Sequence, residues 1–351
     1  MNAANPFADD LDLVLARTKA LWPELRGQRI FITGGTGFFG RWLLESFAWA
    51  NHQLDLKAEA VVLTRNPEAF AKKAPQLAGN PAIRLQAGDI GDFRPPPGRF
   101  SHVIHGATEA SEKSNQENPL RMFDTIVSGT RRTLEFAAEA KVRKFLFISS
   151  GAVYGKQPAE LSHMPEDYTG APDPTHPLSA YGEGKRAGEM LSVLLAQRHG
   201  FEAKIARAFA FVGPQLPLDG HFAVGNFMRD GLAGGPIQVL GDGTPVRSYL
   251  YAAELAVWLW TILFQGANAR AYNVGSETCL SIAETARAVA DSFSPPLPVR
   301  IRTPAGSGAG LRYVPCTRRA REELGLTQEI EPCRAIEKTL RWLQNTHATH
   351  A

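Results

Sequence analysis

A tyrosine and a lysine four residues apart, Tyr181 and Lys185 in YGEGK, share one face wherever that stretch is helical. An ammonium beside a phenol favours the phenolate and draws its pKa from about 10 toward the range of a working general acid/base. Ser150 closes the apolar run KFLFISS and is placed to share the hydrogen bond to the same substrate oxygen. The expected chemistry is proton transfer at a hydroxyl whose carbon exchanges hydride, with Tyr181 as the acid/base. A Tyr/Lys pair at this spacing also occurs on ordinary solvated helices, so the reading depends on what surrounds it.

What surrounds it is a glycine loop. Gly34, Gly37 and Gly40 lie in GGTGFFG, between the strand-like RIFIT and the helix-like RWLLESFAWA. A pyrophosphate on a helix N-terminus needs a tight turn and bare backbone there, which assigns Gly34, Thr36, Gly37, Phe38, Phe39 and Gly40 to a dinucleotide. Asp89 and Ile90, after a later strand, are expected at the adenosine, with Tyr181 and Lys185 at the other end of the cofactor. The second strand ends VVLTRNP, without the carboxylate that would bond a free 2′-hydroxyl. Thr64 and Arg65 stand there instead and suit a 2′-phosphate, so NADP(H) is favoured slightly over NAD(H).

These groups need a frame, and strand-like and helix-like segments alternate through AEAVVLTR, IRLQAG, HVIHGA, KFLFISS and AKIARAF. The pattern predicts an α/β fold, a Rossmann-type doubly wound parallel sheet with a smaller, mixed C-terminal substrate lobe. Helices are expected over about 67–77, 119–140 and 181–199. Residues 1–26 read as a helical extension capped by Asp9 and Asp10, and 27–210 as the dinucleotide-binding domain with the catalytic groups. Residues 211–345 read mainly as the substrate lobe, not necessarily contiguous, and 346–351 as a tail. His102 and His105 read as packing histidines on opposite faces of one strand, with His105 the one to border a nicotinamide.

The 351 residues carry 38 basic and 35 acidic side chains, a net +3 that asks for neither nucleic acid nor a membrane surface. Three scattered cysteines fit a reducing compartment and no metal site. The apolar run LAVWLWTILF is about half a membrane span and reads as a buried helix. With no basic-then-apolar leader, a cytoplasmic protein is expected.

At this point the chain resembles the extended short-chain dehydrogenases of the NAD-dependent epimerase/dehydratase family, which act on nucleotide-diphosphate sugars. GGTGFFG, Asp89, SSGAVYG, SAYGEGK, ARAFAFVGP, GDGTPVRSYLY and YNVGS carry the resemblance over roughly 28–345. It implies Ser150, Tyr181 and Lys185 as the catalytic trio and Asn226 and Arg247 as nucleotide-sugar contacts. His221 with Arg229 is a further diphosphate candidate. Glu109 and Ser111, and Gly151 and Ala152 beside Ser150, are expected at the sugar. A homodimer through the helices at 119–140 and 181–198 is also implied.

Four departures bear on the reaction. The family's dehydratases carry Asp-Glu after the strand-end hydroxyl residue, and its decarboxylases a glutamate at the second place; here stand Gly151 and Ala152. Ile126, Ala210 and Ser248 replace an asparagine, an asparagine and an acid. An epimerase that transiently oxidises a ring hydroxyl leads, ahead of an NADPH-dependent reductase of a 4-keto-6-deoxy sugar. A dehydratase or decarboxylase follows, and a non-enzymatic dinucleotide-binding protein comes last.

Overall fold

The computed structural model describes residues 5–108, 112–220, 222–304 and 310–348, with the backbone alone at 112–114, 347 and 348. Six apolar segments form β1 Arg29–Thr33, β2 Glu59–Thr64, β3 Ile83–Ala87, β4 His102–His105, β5 Lys144–Ser150 and β6 Glu202–Ala208. With a seventh strand, Arg270–Val274, they make one parallel sheet in the order β3-β2-β1-β4-β5-β6 and then the seventh. The chain runs outward from β1 to β3 and returns to β4, so the order reverses between β1 and β4. In such sheets ligands bind in the crevice at the carboxyl ends of the strands. β4 is buried along its whole length, as a strand covered on both faces must be.

Local chemistry sets where the helices start and stop. Asn118 caps Pro119–Glu139 by accepting from Arg121 N–H, with Pro119 at the first helical position. The single helix expected at 67–77 is broken by Pro75 into Pro67–Lys73 and Pro75–Ala78, since proline cannot continue the ladder. The first helix, Ala8–Thr18, is not capped by an acidic side chain as expected. Asp10 is buried instead, accepting from Tyr251 Oη at 2.6 Å and pairing with Lys338 at 3.0 Å.

The run LAVWLWTILF lies in the helix Ala252–Gln265, which buries every side chain but the last. It packs on the first helix and on Phe38–Gln53, and it also touches β5 and β6. Trp260 Nε1 donates to Ser46 Oγ at 2.8 Å. This helix and the seventh strand both come from the stretch expected to form the lobe, which therefore leaves the sheet after β6 and returns to it. The lobe contains Ile237–Val239 paired with Val299–Ile301, and Val246–Ser248 between Cys279–Ser281 and Arg312–Tyr313. No helix among the described residues is long and apolar enough to cross a membrane.

Candidate active site

The loop after β1 enters the helix Phe38–Gln53 through Gly37, with neither a side-chain cap nor an acid in the first turn. Its free N–H groups and dipole therefore face outward unneutralised. The three glycines answer to different demands. Gly34 has φ +73, and a Cβ there would stand 2.5 Å from the Gly106 carbonyl carbon. A Cβ on Gly40 would meet Gly34 O at 2.3 Å, so this residue lets the helix seat on the loop. A Cβ on Gly37 would meet only Gly34 O, at an ordinary 3.5 Å. The protein's own packing does not require glycine at 37; an approaching pyrophosphate does, and the loop fits a dinucleotide on that ground.

Gly34, Gly37, Phe38 and Phe39 line a cavity of about 700 Å³ that also takes in Ser150, Ala152, Tyr181, Lys185 and Arg247. Thr36 is half-buried in the turn between the glycines. Thr64, Arg65, Asp89 and Ile90 follow along the carboxyl ends of β2 and β3. Asp89 is exposed and accepts from Gly91 N–H at 3.0 Å, while Ile90 is buried.

Register brings the reacting groups together. Ser150 is the last residue of β5, opposite Ala208 of β6. The helix Ala180–His199 lies across β5 with Gly188 against the Phe147 ring, where a Cβ would come within 2.5 Å. Lys185 Nζ thereby sits 5.0 Å from the Phe147 centroid and 5.9 Å from that of Tyr181, and it donates to Ile148 O at 2.9 Å. Burial pushes the lysine down to about 7, against the opposing charge of Glu189. Burial also pushes the Tyr181 phenol up, against the hydrogen bond from Ser150. From the sequence the ammonium is expected to lower the phenol; here desolvation is the largest influence on each group, and the phenol is raised instead.

Beneath this wall, Glu189 accepts from Ser149 Oγ at 2.6 Å and from Arg207 at 2.7 Å, which fixes the far end of the helical face. His105 does not border the cavity. It is buried between Thr33 Oγ1 at 2.7 Å and Thr130 Oγ1 at 3.0 Å, and burial holds it at about 3, neutral, with the Lys185 charge adding to the effect.

Arg247 reaches the cavity from the lobe and donates to Val246 O at 2.9 Å. Asn226 does not line it; it is half-buried and accepts from Arg229 at 3.3 Å, while Phe222, Ala223 and Val224 of the same segment form the wall. Gly151 is buried against Phe209 and Tyr313. Glu109, Ser111 and His221 lie outside the described residues. Tyr249 and Tyr313 line the cavity and were not foreseen, since nothing in their spacing ties them to Ser150. Among the described residues no group of three His, Cys, Asp or Glu is arranged to hold a metal.

A family model described as the NAD dependent epimerase/dehydratase family matches residues 30–275. UDP-glucuronic acid decarboxylase 3 of Arabidopsis thaliana is 29% identical over 288 residues, 82% of this chain and 80% of its own. The fold is shared with the dTDP-glucose 4,6-dehydratase DesIV of Streptomyces venezuelae, solved with NAD (TM-score 0.75, 22% identity, 92% of this chain and 98% of that one). It is also shared with a UDP-glucuronic acid 4-epimerase of Bacillus cereus, solved with a fluorinated UDP-sugar and NAD (TM-score 0.75, 19% identity, 91% and 99%). Both structures hold NAD, which corrects the expectation of NADP(H). The physical reason lies at the end of β2. Arg65 is exposed, an ordinary solvated guanidinium, and the Thr64 hydroxyl is turned inward to accept from Asn66 N–H at 3.4 Å.

Proposed function

Because the chain belongs to the NAD dependent epimerase/dehydratase family of sugar-nucleotide enzymes, we propose that it is a nucleotide-diphosphate-sugar epimerase using NAD. The observation that carries this reading is the gathering of Ser150, Tyr181 and Lys185 in one cavity, where the two residues after Ser150 are Gly151, buried behind the lining, and Ala152, neither of which can transfer a proton. Loss of water needs an acid and a base beyond the tyrosine, whereas oxidation and reduction of a single carbinol need only the proton that Tyr181 exchanges. NAD, when bound at the glycine loop, supplies the acceptor and later the donor of hydride. Tyr181, as the phenolate, would take the substrate hydroxyl proton, and Ser150 would hold the oxygen from which that proton leaves. Tyr181 would give the proton back to the same oxygen once the carbinol is restored with the opposite configuration, so no proton is consumed over the cycle. Arg247 is the fork suited to the diphosphate.

The second reading is a UDP-glucuronic acid decarboxylase, supported by the Arabidopsis relative. Oxidation next to the carboxyl-bearing carbon makes a β-keto acid, which loses CO₂ without a protein base. The reductase reading rested on NADPH and loses its support with the phosphorylated cofactor. NMR of UDP-glucose and UDP-glucuronic acid incubated with enzyme and NAD separates the first two. Conversion to a second, unoxidised hexose epimer without net cofactor reduction is expected; CO₂ with a UDP-pentose would replace this reading by the second.

A further inference from the structure

Hydride exchange does not by itself require Tyr313, a half-buried tyrosine that lines this cavity with Tyr181. Tyr313, on the lobe strand Arg312–Tyr313, places Oη 3.5 Å from Ser150 Oγ and 3.4 Å from Ala208 O, long contacts that leave the hydroxyl free to swing toward a ligand. Its ring packs on Phe209 with centroids 4.6 Å apart and lies 5.8 Å from the Arg247 guanidinium. Gly151 completes the arrangement: a Cβ there would stand 2.7 Å from Tyr313 Oη and 2.8 Å from Phe209 Cζ. Glycine at 151 and tyrosine at 313 are thus one device, with the phenol filling the space into which an acidic side chain at 151 would project. Burial keeps the phenol far above any working pH, against the Ser150 hydrogen bond and the Arg247 charge. It is a neutral donor, able to hold an oxygen and unable to serve as a base.

We propose that Tyr313 is a positioning and specificity-determining residue that orients the Ser150 hydroxyl at the sugar and fills the place into which an acid at 151 would project, so that no such acid serves an elimination there. The proposal deepens the epimerase reading and rests on it for the turnover half of its test.

Tyr313→Phe keeps the ring on Phe209 and removes Oη alone. With UDP-glucose, kcat is expected to fall about tenfold, the worth of one lost hydrogen bond, with KM for NAD unchanged. Ser150→Ala with Tyr313→Phe should be no slower than Ser150→Ala alone, because the phenol acts through the serine. Additive losses, or a raised KM for NAD, would mark a merely structural tyrosine and overturn the proposal. Calorimetric titration with UDP and with UDP-glucose tests it without turnover. Tyr313→Phe should leave UDP affinity unchanged and weaken UDP-glucose about threefold or more. An unchanged ratio of the two affinities overturns the proposal on its own, whereas loss of that ratio in an enzyme that turns over neither sugar supports it and sinks only the epimerase reading.

Discussion

At the scale of single residues, burial shifts the two ionisable groups of the proposed trio in opposite directions. Burial raises the Tyr181 phenol and lowers the Lys185 ammonium to about 7, so in the proposed cycle Tyr181 must first give up its own proton, a loss that a charged Lys185 favours. Tyr181→Phe should bind NAD and UDP-glucose normally and lose at least ~100-fold in kcat, because the ring remains and the transferable proton does not. Lys185→Met should cost more below pH 7 than above it, because only below does the wild-type amine carry the charge that favours phenolate. A kcat/KM profile from pH 5.5 to 9 reads both, and an equal loss at every pH would contradict the assignment. The glycines make a second contrast: Gly37→Val should fold and lose NAD affinity, while Gly40→Val should fail to fold, as melting curves and NAD titration will report. Tyr181 with Lys185 and the glycine loop were legible as short-range patterns, an i, i+4 pair and a strand-loop-helix, while Ser150, 31 positions before Tyr181, was legible only as the end of a strand. Tyr313 was not, because it reaches Ser150 across 163 positions through the lobe. Arg65 misled because residue type at a strand end says nothing of whether the side chain is held.

At the scale of elements, the short 3-10 helix Trp22–Leu25 is clamped to two strands by one carboxylate. Glu24 reaches His102 Nε2 at 2.9 Å on β4 and Lys144 Nζ at 2.8 Å on β5. Burial raises its pKa, but the hydrogen bonds from His102 and Lys144 outweigh that and hold it at about 2, below its ordinary 4.5. A depressed folded value means stability present above pH 4.5 and lost as pH falls toward 2. Glu254 is the opposite case. Burial raises it from 4.5 to about 7, although Glu329 N–H and Ile330 N–H bond it, so its contribution is present below 4.5 and lost as pH rises toward 7. Glu24→Gln should therefore lower the melting temperature more at pH 7 than at pH 3. Glu254→Gln should raise it at pH 8, by on the order of 2 kcal/mol in stability, with little change at pH 4. The strands of the sheet were legible from their apolar runs. The break at Pro75 was legible in principle, but Asp10 was not, because its partners Tyr251 and Lys338 lie in the last third of the chain.

At the scale of the whole molecule, the helices Pro119–Glu139 and Ala180–His199 pack on each other within the chain and leave Leu120, Met190 and Leu194 more than half exposed. Leu191 is spent on the core while Leu194 faces out, so the apolar positions that read alike in sequence divide between the interior and a surface suited to a second copy. Sedimentation should find a dimer, and Met190→Glu with Leu194→Glu should yield the 38.2 kDa species without loss of NAD binding. The lobe's departure from the sheet and return to it carries a different consequence, for synthesis. A nascent chain that has reached residue 210 possesses the glycine loop and the trio, yet lacks both the edge strand Arg270–Val274 and the covering helix Ala252–Gln265. The first helix waits as well, since Asp10 meets Tyr251 241 residues later and Arg17 meets Thr327 after 310. At about 5–20 residues per second the first of these waits lasts roughly 10–50 s, during which apolar faces of the unfinished sheet stand open on the ribosome. The glycine loop, Ser150, Tyr181 and Lys185 are translated early, and Arg247, Tyr249 and Tyr313, which line the same cavity from the lobe, are translated late.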